Sequence, residues 1–291
     1  MIALMLMAAA AALPVSHQDV TLHAGDGRPV AVRVFAPARG CRRCALIIFS
    51  HGAYSNYHDY DALLEDWAAH GMVVAAPLHV DSSEYPERGR YSMLESRALR
   101  LADYAAVDLA LRPGAPALLN GISFSGKVFA AGHSYGGLIV EVVGGARLDA
   151  DAEVQLARSW RMPLAVVALS PPGEVPGFVT TPGFAAMERP TLVVSGTADM
   201  LKGYFDSYQV HLTSYRAGPA GRTYSLVFDG MDHAFNGAYW KVTPDGGASA
   251  WAITALNADI LRFLDDAARG KPPTRAEWRA FGVKGVTAEA K

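Results

Sequence analysis

Short apolar runs alternate along the chain with longer segments whose apolar residues repeat at helical spacing. Residues 46–49 and 127–131 are runs of strand length, and residues 91–112 carry apolar side chains at every third or fourth position. Strands separated by helices in this way predict βαβ units and a mostly parallel sheet. Further strands are predicted at residues 72–76, 164–169, 191–195 and 224–228, and further helices at residues 60–70, 203–215 and 249–268.

Polar and turn-forming residues predict where the chain turns and how many domains it forms. Residues 20–23 and 30–35 alternate between apolar and polar positions around a Gly-Asp-Gly turn, which predicts an opening hairpin. Residues 171–190 are rich in Pro, Gly and Thr and predict a loop or small cap, and the tail after Gly270 is expected on the surface. Because no segment resembles a linker, residues 17–291 are predicted to form one domain.

The N-terminus resembles an export signal. Residues 2–13 are continuously apolar but too few to span a bilayer, and alanines at positions 8–12 offer Ala-x-Ala cleavage sites. We therefore expect a signal peptide at residues 1–16, a periplasmic or secreted protein and no stable membrane insertion. The alternatives are a buried N-terminal strand or helix, and a cytoplasmic protein.

Composition excludes several classes of partner. The 291 residues are 51% hydrophobic and 19% charged, and the formal net charge is −2. These values indicate a globular chain with enough apolar material for one large core. Without a long basic stretch, no nucleic-acid partner is expected.

The two cysteines, Cys41 and Cys44, have C-x-x-C spacing. A thioredoxin-like redox pair would open a helix, whereas this pair precedes an apolar run of strand character. A structural disulfide in a loop between two strands is therefore the preferred interpretation, and it suits an oxidising compartment.

No metal site is expected from the sequence. Two cysteines alone cannot form a zinc site, and no matching pair is found elsewhere. His58, Asp59 and Asp61 lack H-x-H-x-D spacing, so we interpret them as capping and surface groups.

The strongest chemical signal is Gly-His-Ser-Tyr-Gly at residues 132–136, a G-x-S-x-G motif. An apolar strand pattern precedes it and an apolar helical pattern at residues 138–143 follows it. Strand, sharp turn and helix are the context of a nucleophile elbow, in which glycines leave room for a strained serine. Ser134 is therefore the predicted nucleophile, and the helix N-terminus behind it favours negative charge.

A serine nucleophile needs a base, and the base needs an orienting carboxylate. After an elbow of this kind, the acid and then the base follow in chain order, each at the carboxyl end of a strand. Asp199 and His233 follow the last two predicted strands and are the predicted acid and base. The simpler alternatives are a helix N-cap for Asp199 and an ordinary loop histidine for His233, and Asp229 and Asp232 are rival acids.

An oxyanion hole requires two backbone N–H donors. The residue after the nucleophile, Tyr135, is expected to supply one. The loop after the third strand is expected to supply the other from Ala53, because Gly52 allows close approach. His51 is interpreted as a loop-bracing residue, and His133 is expected to face the interior.

These motifs together resemble the α/β-hydrolase superfamily, and the resemblance extends from about residue 20 to residue 268. Within it, the chain is similar to dienelactone-hydrolase-like and platelet-activating-factor-acetylhydrolase-like serine esterases, with a further similarity to chlorophyllases. The segments that carry the resemblance are residues 49–52, 70–77, 132–137, 196–199 and 232–235. It implies a mostly parallel eight-stranded sheet flanked by helices and a carboxylester hydrolase without a cofactor.

The chain differs at particular residues from two families that it resembles in fold, the dienelactone hydrolases and the secreted polyester hydrolases. True dienelactone hydrolases carry a cysteine nucleophile, whereas this chain has Ser134. Secreted polyester hydrolases carry an aromatic residue at the position of Ala53 and a tryptophan after the sixth strand, where this chain has Ser-Pro-Pro-Gly at residues 170–173.

The sequence thus predicts a serine esterase that acts on small, uncharged or weakly charged carboxylic esters through Ser134, His233 and Asp199. A lipase, thioesterase, polyester hydrolase or peptidase with the same triad is an alternative. An inactive hydrolase-fold binding protein is the alternative from another class. The oligomeric state stays open.

Overall fold

The chain folds into one twisted sheet covered by helices on both faces. The computed structural model describes residues 12–115, 118–150, 159–237, 250–280 and 285–291. The strands are β1 (Val15–His23), β2 (Pro29–Pro37), β3 (Cys41–Ser50), β4 (Val73–Pro77), β5 (Ile122–His133), β6 (Val166–Leu169), β7 (Thr191–Gly196), β8 (Thr223–Phe228) and β9 (Val286–Ala290). The helices are α1 (Asp61–Ala69), α2 (Met93–Ala110), α3 (Tyr135–Val143), α4 (Thr181–Phe184), α5 (Thr213–Ala217), α6 (Ala250–Ala268) and α7 (Arg275–Arg279), with 3₁₀ turns at Tyr57–Tyr60 and Tyr208–Leu212.

The strand order is β1-β2-β4-β3-β5-β6-β7-β8-β9. Six neighbouring strands are parallel, namely β4, β3, β5, β6, β7 and β8. Strands β1, β2 and β9 run antiparallel to their neighbours. Because the carboxyl ends of parallel strands meet at one edge, the loops after β3, β5, β7 and β8 converge there. The mostly parallel α/β sheet is confirmed.

Two apolar clusters, one on each face, hold the layers together. One cluster packs α1 and α6 against the sheet and contains Trp67 and Phe263. The other packs α2 and α3 against the opposite face and contains Tyr104 and Leu138. Side chains alternate between the two clusters along β3, so the central strands are buried on both faces, as expected for parallel strands.

The C-terminal part of the chain corrects two predictions. Eight strands were expected, but the described residues form nine, and β9 pairs with β8 from Val286 opposite Phe228 to Ala290 opposite Tyr224. The tail after Gly270 was expected on the surface, yet Trp278 is fully buried and its indole N–H donates to the Ser225 carbonyl at 3.1 Å. The C-terminal residues therefore add an edge strand beside β8 and bury the Trp278 ring against the sheet.

The predicted helix at residues 203–215 is also wrong in extent. Gly203 has a φ of 86°, and an isolated bridge joins Leu201 to Phe205, so this stretch is a turn. A 3₁₀ turn capped by the Ser207 hydroxyl follows, and helix α5 holds only five residues. The segment thus consists of short turns beside the carboxyl edge of the sheet.

Cys41 and Cys44 are joined by a disulfide. Both cysteines belong to β3, which starts five residues before the predicted run at residues 46–49, and the pairing of β3 with β5 is irregular between them. The predicted disulfide is therefore present, within a bulged strand rather than in a loop before it.

Residues 1–11, which hold most of the predicted signal peptide, lie outside the described residues. Strand β1 begins at Val15, which pairs with Pro37, so the predicted leader boundary at residue 16 falls inside this strand. Export stays a prediction. Within the described part of the chain, none of the helices combines the length and apolar character needed to span a bilayer.

Candidate active site

The G-x-S-x-G segment forms a sharp turn between β5 and α3. Ser134 has a φ of 52° and a ψ of −120°, an unfavourable conformation for a residue with a Cβ. Its backbone N–H donates to the Leu169 carbonyl of β6 at 2.7 Å, which fixes the turn. The structure therefore contains the strained strand–turn–helix that the sequence predicted.

The two motif glycines have steric roles. A Cβ on Gly132 would lie 2.4 Å from the Gly136 carbonyl oxygen, and a Cβ on Gly136 would lie 2.0 Å from the Ser50 carbonyl oxygen. Both distances are far below van der Waals contact, and the opposing atoms are backbone. Only glycine fits either position.

Ser134, His233 and Asp199 form a continuous hydrogen-bonded chain. Nε2 of His233 lies 3.1 Å from Oγ of Ser134, and Nδ1 of His233 lies 2.7 Å from Oδ1 of Asp199. Ser134 is partly exposed, whereas His233 and Asp199 are buried. The structure thus brings the three predicted residues together in the order nucleophile, base and acid.

The Asp199 carboxylate is enclosed by donors. Its Oδ2 accepts hydrogen bonds from the hydroxyls of Ser170 at 2.5 Å and Ser195 at 2.7 Å. Burial raises the pKa of Asp199, but interactions with His211 and His233 outweigh it and hold the pKa well below its usual range. No described helix starts at Asp199, so the N-cap alternative is wrong.

The rival acids serve local turns. Asp229 accepts from the hydroxyl of Thr197 at 3.0 Å. Asp232 accepts from the backbone N–H groups of Ala234 at 3.0 Å and Asn236 at 2.7 Å. Both carboxylates are exposed, whereas the carboxylate that contacts the His233 ring is that of Asp199.

Arg100 of α2 holds the loop after β3, which contains Ala53. Its guanidinium is fully buried and forms a two-pronged ion pair with Asp81, with Nε–Oδ1 and Nη2–Oδ2 distances of 2.8 Å. The same group donates to the carbonyls of His51 at 2.6 Å and Gly52 at 3.0 Å and to the Ser50 hydroxyl at 3.2 Å. Its donors thus fix three consecutive residues of the loop.

This arrangement orients the peptide between Gly52 and Ala53. The described peptide bonds are all trans, so the Ala53 N–H points away from the carbonyl that Arg100 binds. A Cβ built on Gly52 would lie 3.6 Å from Cβ of Ser134, which places the loop against Ser134. The Tyr135 N–H belongs to the first residue of α3 and has no partner within that helix.

A second, wholly buried Ser–His–Asp chain lies beneath the loop. Oγ of Ser50 is 2.9 Å from Nε2 of His79, and Nδ1 of His79 is 2.8 Å from Oδ2 of Asp103. Burial raises the pKa of Asp103 to about 7, and Arg28 contacts its other oxygen at 2.5 Å. Since Ser50 is only 2% exposed, this chain braces the loop and offers no nucleophile to solvent.

His133 connects the loop, the elbow and the base. The Tyr60 hydroxyl accepts from the Gly52 N–H at 3.1 Å and lies 2.8 Å from Nδ1 of His133. Nε2 of His133 lies 2.9 Å from the His233 carbonyl oxygen, which only accepts, so Nε2 carries the hydrogen and Tyr60 donates to Nδ1. Burial lowers the pKa of His133 well below its usual value, in keeping with a neutral ring.

His51 also faces the interior. It is fully buried, and its Nε2 accepts the backbone N–H of His79 at 3.0 Å. The loop-bracing interpretation of His51 therefore agrees with its contacts. Asp59 accepts from the Asn56 N–H in a capping box, and Nδ1 of His58 contacts Arg33, in line with capping and surface roles.

Sequence reasoning missed His211, which lies on the 3₁₀ turn after β7. Its Nε2 is 3.0 Å from Oδ1 of Asp199, and the ring is fully buried. Asp199, His211 and His233 each offer one atom that could bind a metal ion, and these atoms lie within 4.8 Å of one another. They are the one such group among the described residues. Nδ1 of His233 lies 2.7 Å from Oδ1 of Asp199, which is a normal hydrogen-bond distance. The arrangement is therefore that of a carboxylate between two imidazole rings.

The stretch of chain after Asp199 exposes apolar side chains. Met200, Leu201 and Tyr204 follow Asp199 and are 52%, 38% and 77% exposed, respectively. The Phe205 ring packs against His233 with centroids 5.9 Å apart.

Comparisons with known proteins locate the fold. No protein-family model matches the chain, and no curated protein matches its sequence. A Klebsiella pneumoniae protein assigned to the dienelactone hydrolases matches with a TM-score of 0.58 and 15% identity, covering 87% of this chain and 99% of its own.

Two esterase structures match equally well. Thermogutta terrifontis esterase 2, phosphorylated by paraoxon, has a TM-score of 0.59 and 16% identity, covering 84% of this chain and 94% of its own. Brefeldin A esterase, a bacterial homologue of human hormone-sensitive lipase, has a TM-score of 0.61 and 16% identity, covering 90% of this chain and 80% of its own. The chain thus has the α/β-hydrolase fold, as the resemblance predicted.

Proposed function

We propose that the protein is a serine hydrolase of carboxylic esters that works through an acyl-enzyme. The observation that carries the proposal is the chain from Ser134 through His233 to Asp199, with distances of 3.1 and 2.7 Å, at a strained elbow. The esterases among the structural neighbours support it at the level of the fold.

In the proposed reaction, Oγ of Ser134 attacks the ester carbonyl carbon while Nε2 of His233 accepts its proton. The carboxylate of Asp199 keeps the hydrogen on Nδ1 of His233 and stabilises the imidazolium that forms. The N–H groups of Ala53 and Tyr135 are the proposed donors to the oxyanion. The protonated His233 then gives its proton to the departing alcohol, and a water molecule activated by His233 hydrolyses the acyl-enzyme.

The proposed substrates are small esters without a strong charge. The exposed apolar side chains of Met200, Leu201 and Tyr204, on the stretch of chain that follows Asp199, suit an apolar acyl or alcohol group. A panel of p-nitrophenyl esters of increasing acyl length, beside a thioester and an aminoacyl amide, separates an esterase from a lipase, thioesterase or peptidase. A polyester film in the same panel tests the polyester alternative.

The decisive test is Ser134→Ala with Ser83→Ala as the control, since Ser83 is exposed and contacts the loop of Ala53 through its backbone N–H rather than its hydroxyl. Ser134→Ala should lower turnover on the best ester by ~10⁶-fold and abolish labelling by a fluorophosphonate probe. Ser83→Ala should keep both. Retained activity in Ser134→Ala would refute the nucleophile, and an unlabelled wild-type protein would favour the inactive binding protein.

We also propose that the protein is exported. The apolar N-terminal run and the Cys41–Cys44 disulfide support an oxidising compartment. Cell fractionation and N-terminal sequencing of the mature protein test this proposal. A product that retains Met1 in the cytoplasmic fraction would contradict it.

A further inference from the structure

Asp199 is shared by two histidines. Nδ1 of His233 and Nε2 of His211 both lie against Oδ1 of this carboxylate, at 2.7 and 3.0 Å. The two rings are tilted by 33° with centroids 5.4 Å apart, and the Phe205 ring packs edge-on against His211 at 4.8 Å. The second histidine is therefore part of the enclosed environment of the acid.

The contacts of His211 identify its protonation state. Nδ1 lies 2.8 Å from the carbonyl oxygen of Pro171, which can only accept, so this nitrogen carries a hydrogen. A neutral ring would then leave a lone pair on Nε2, beside a carboxylate oxygen and shielded from water. Two negative sites at 3.0 Å repel each other, whereas a protonated Nε2 is attracted.

The alternatives are less favourable. The Nε2–H direction of His211 is poorly aligned with Oδ1, so the contact is chiefly an attraction between charges. A ring turned by 180° would place carbon atoms against both Pro171 and Asp199 and lose both contacts. A protonated Asp199 is disfavoured because its Oδ2 already accepts from the hydroxyls of Ser170 and Ser195, at 2.5 and 2.7 Å, and its Oδ1 faces Nδ1 of His233.

We propose that His211 is a positively charged positioning residue that shares Asp199 with His233 and thereby sets the pH at which the base becomes active. The inference rests on the proposed function, since it concerns the base of that reaction. With His211 charged, the resting pair of His211 and Asp199 is neutral overall. Proton uptake by His233 then places a second positive charge beside the first, and this opposes uptake.

The other charged groups near His211 do not remove this effect. Among the described residues, Asp199 faces it from the loop after β7 and His233 from the loop after β8. His133, at the end of β5, stacks on His233 with centroids 4.8 Å apart, and burial lowers its pKa well below the usual value. Pro171 and Phe205, which complete the surroundings, carry no charge.

The test is the pH dependence of kcat/KM in His211→Gln, which removes the charge and keeps a hydrogen-bond donor. The acid limb should move to higher pH by roughly two units, the effect of a like charge at about 5 Å in a medium of dielectric constant near 20. The plateau rate should fall by less than about tenfold. His70→Gln is the matched control, because His70 is exposed and lies outside the site; its profile should equal that of the wild type.

A second measurement does not depend on catalysis. Nitrogen-15 NMR of histidine-labelled protein, assigned with the His211→Gln variant or by backbone-correlated spectra if that variant fails to fold, should show both ring nitrogens of His211 protonated at pH 7.5. A neutral His211 would overturn the inference, and so would an unchanged acid limb in a variant with native melting behaviour. A charged His211 in a protein without esterase activity would instead refute the proposed function.

Discussion

The guanidinium of Arg100 binds the carbonyl oxygen of Gly52 at 3.0 Å and thereby turns the Ala53 N–H the opposite way. The two residues are 48 positions apart in sequence, and the contact is fully buried. The direction of the proposed oxyanion donor is therefore set by α2 together with the loop itself, since Nδ1 of His51 lies 2.7 Å from the same carbonyl oxygen.

Arg100→Lys is expected to lower kcat by about 10–100-fold with little change in KM. A lysine carries three donors on one nitrogen and cannot make the five contacts that Arg100 spreads over its three nitrogens. A misdirected oxyanion donor weakens only the transition state. Steady-state kinetics below the melting temperature measure this effect.

Arg33→Lys is the matched control for Arg100→Lys. Arg33 forms a similar two-pronged pair with Asp19, at 2.9 and 3.0 Å, but on the exposed surface of β2. This variant should keep wild-type kcat. Equal losses in the two variants would show that Arg100 does not act through the loop.

Gly136→Ala should destabilise the protein by at least about 3 kcal/mol or prevent soluble expression. The added Cβ would lie 2.0 Å from the Ser50 carbonyl oxygen, and backbone on both sides would have to move. Gly25→Ala is the control, because a Cβ there would meet nothing within 4 Å. Urea unfolding should show an unchanged or slightly higher stability for Gly25→Ala, and a stable, active Gly136→Ala would contradict the steric role.

The sequence was informative where the chemistry is local or tied to strand ends. Ser134 lies in a five-residue motif, and Asp199 and His233 follow buried strands whose carboxyl ends must meet in a parallel sheet. Their convergence could therefore be predicted without coordinates, and so could the α/β architecture.

The remaining residues of the site left no comparable signal. Arg100 is 48 positions away in sequence from Gly52, the loop residue that it binds. His211 lies in a stretch whose pattern predicts a helix but which folds as short turns. Strand β9 has only five residues, and two of its three buried side chains are alanines, so its apolar pattern is weak. Such contacts depend on tertiary packing that periodicity does not encode.

Asp199→Asn should lower kcat on the order of 10⁴-fold, whereas Asp232→Asn should change it by less than about threefold. The side-chain amide introduced by Asp199→Asn could donate to Nδ1 of His233 and stabilise the wrong tautomer. Asp232 accepts backbone N–H groups of its own turn and is exposed. Kinetics on one ester compare the two variants directly, and a larger loss for Asp232→Asn would mean that the acid is misassigned.

Glu141, on helix α3, makes the stability of the protein depend on pH. Its side chain is fully buried beside the hydroxyl of Ser214. Burial raises the pKa of Glu141 to about 8 from an ordinary value of 4.5. Between these two values the native state binds more protons than the unfolded state, so the free energy of unfolding falls as the pH rises.

Glu141→Gln should remove this dependence, because the amide resembles the protonated acid and cannot ionise. The difference in Tm between the variant and the wild type should therefore become more positive from pH 5 to pH 9. The difference is the quantity to measure, because burial also raises the pKa of Asp103 to about 7, and that contribution is common to both proteins. Glu84→Gln, an exposed control, should show a difference that stays near zero. A difference for Glu141→Gln that is constant across this range would mean that Glu141 ionises in the folded protein as easily as in the unfolded chain.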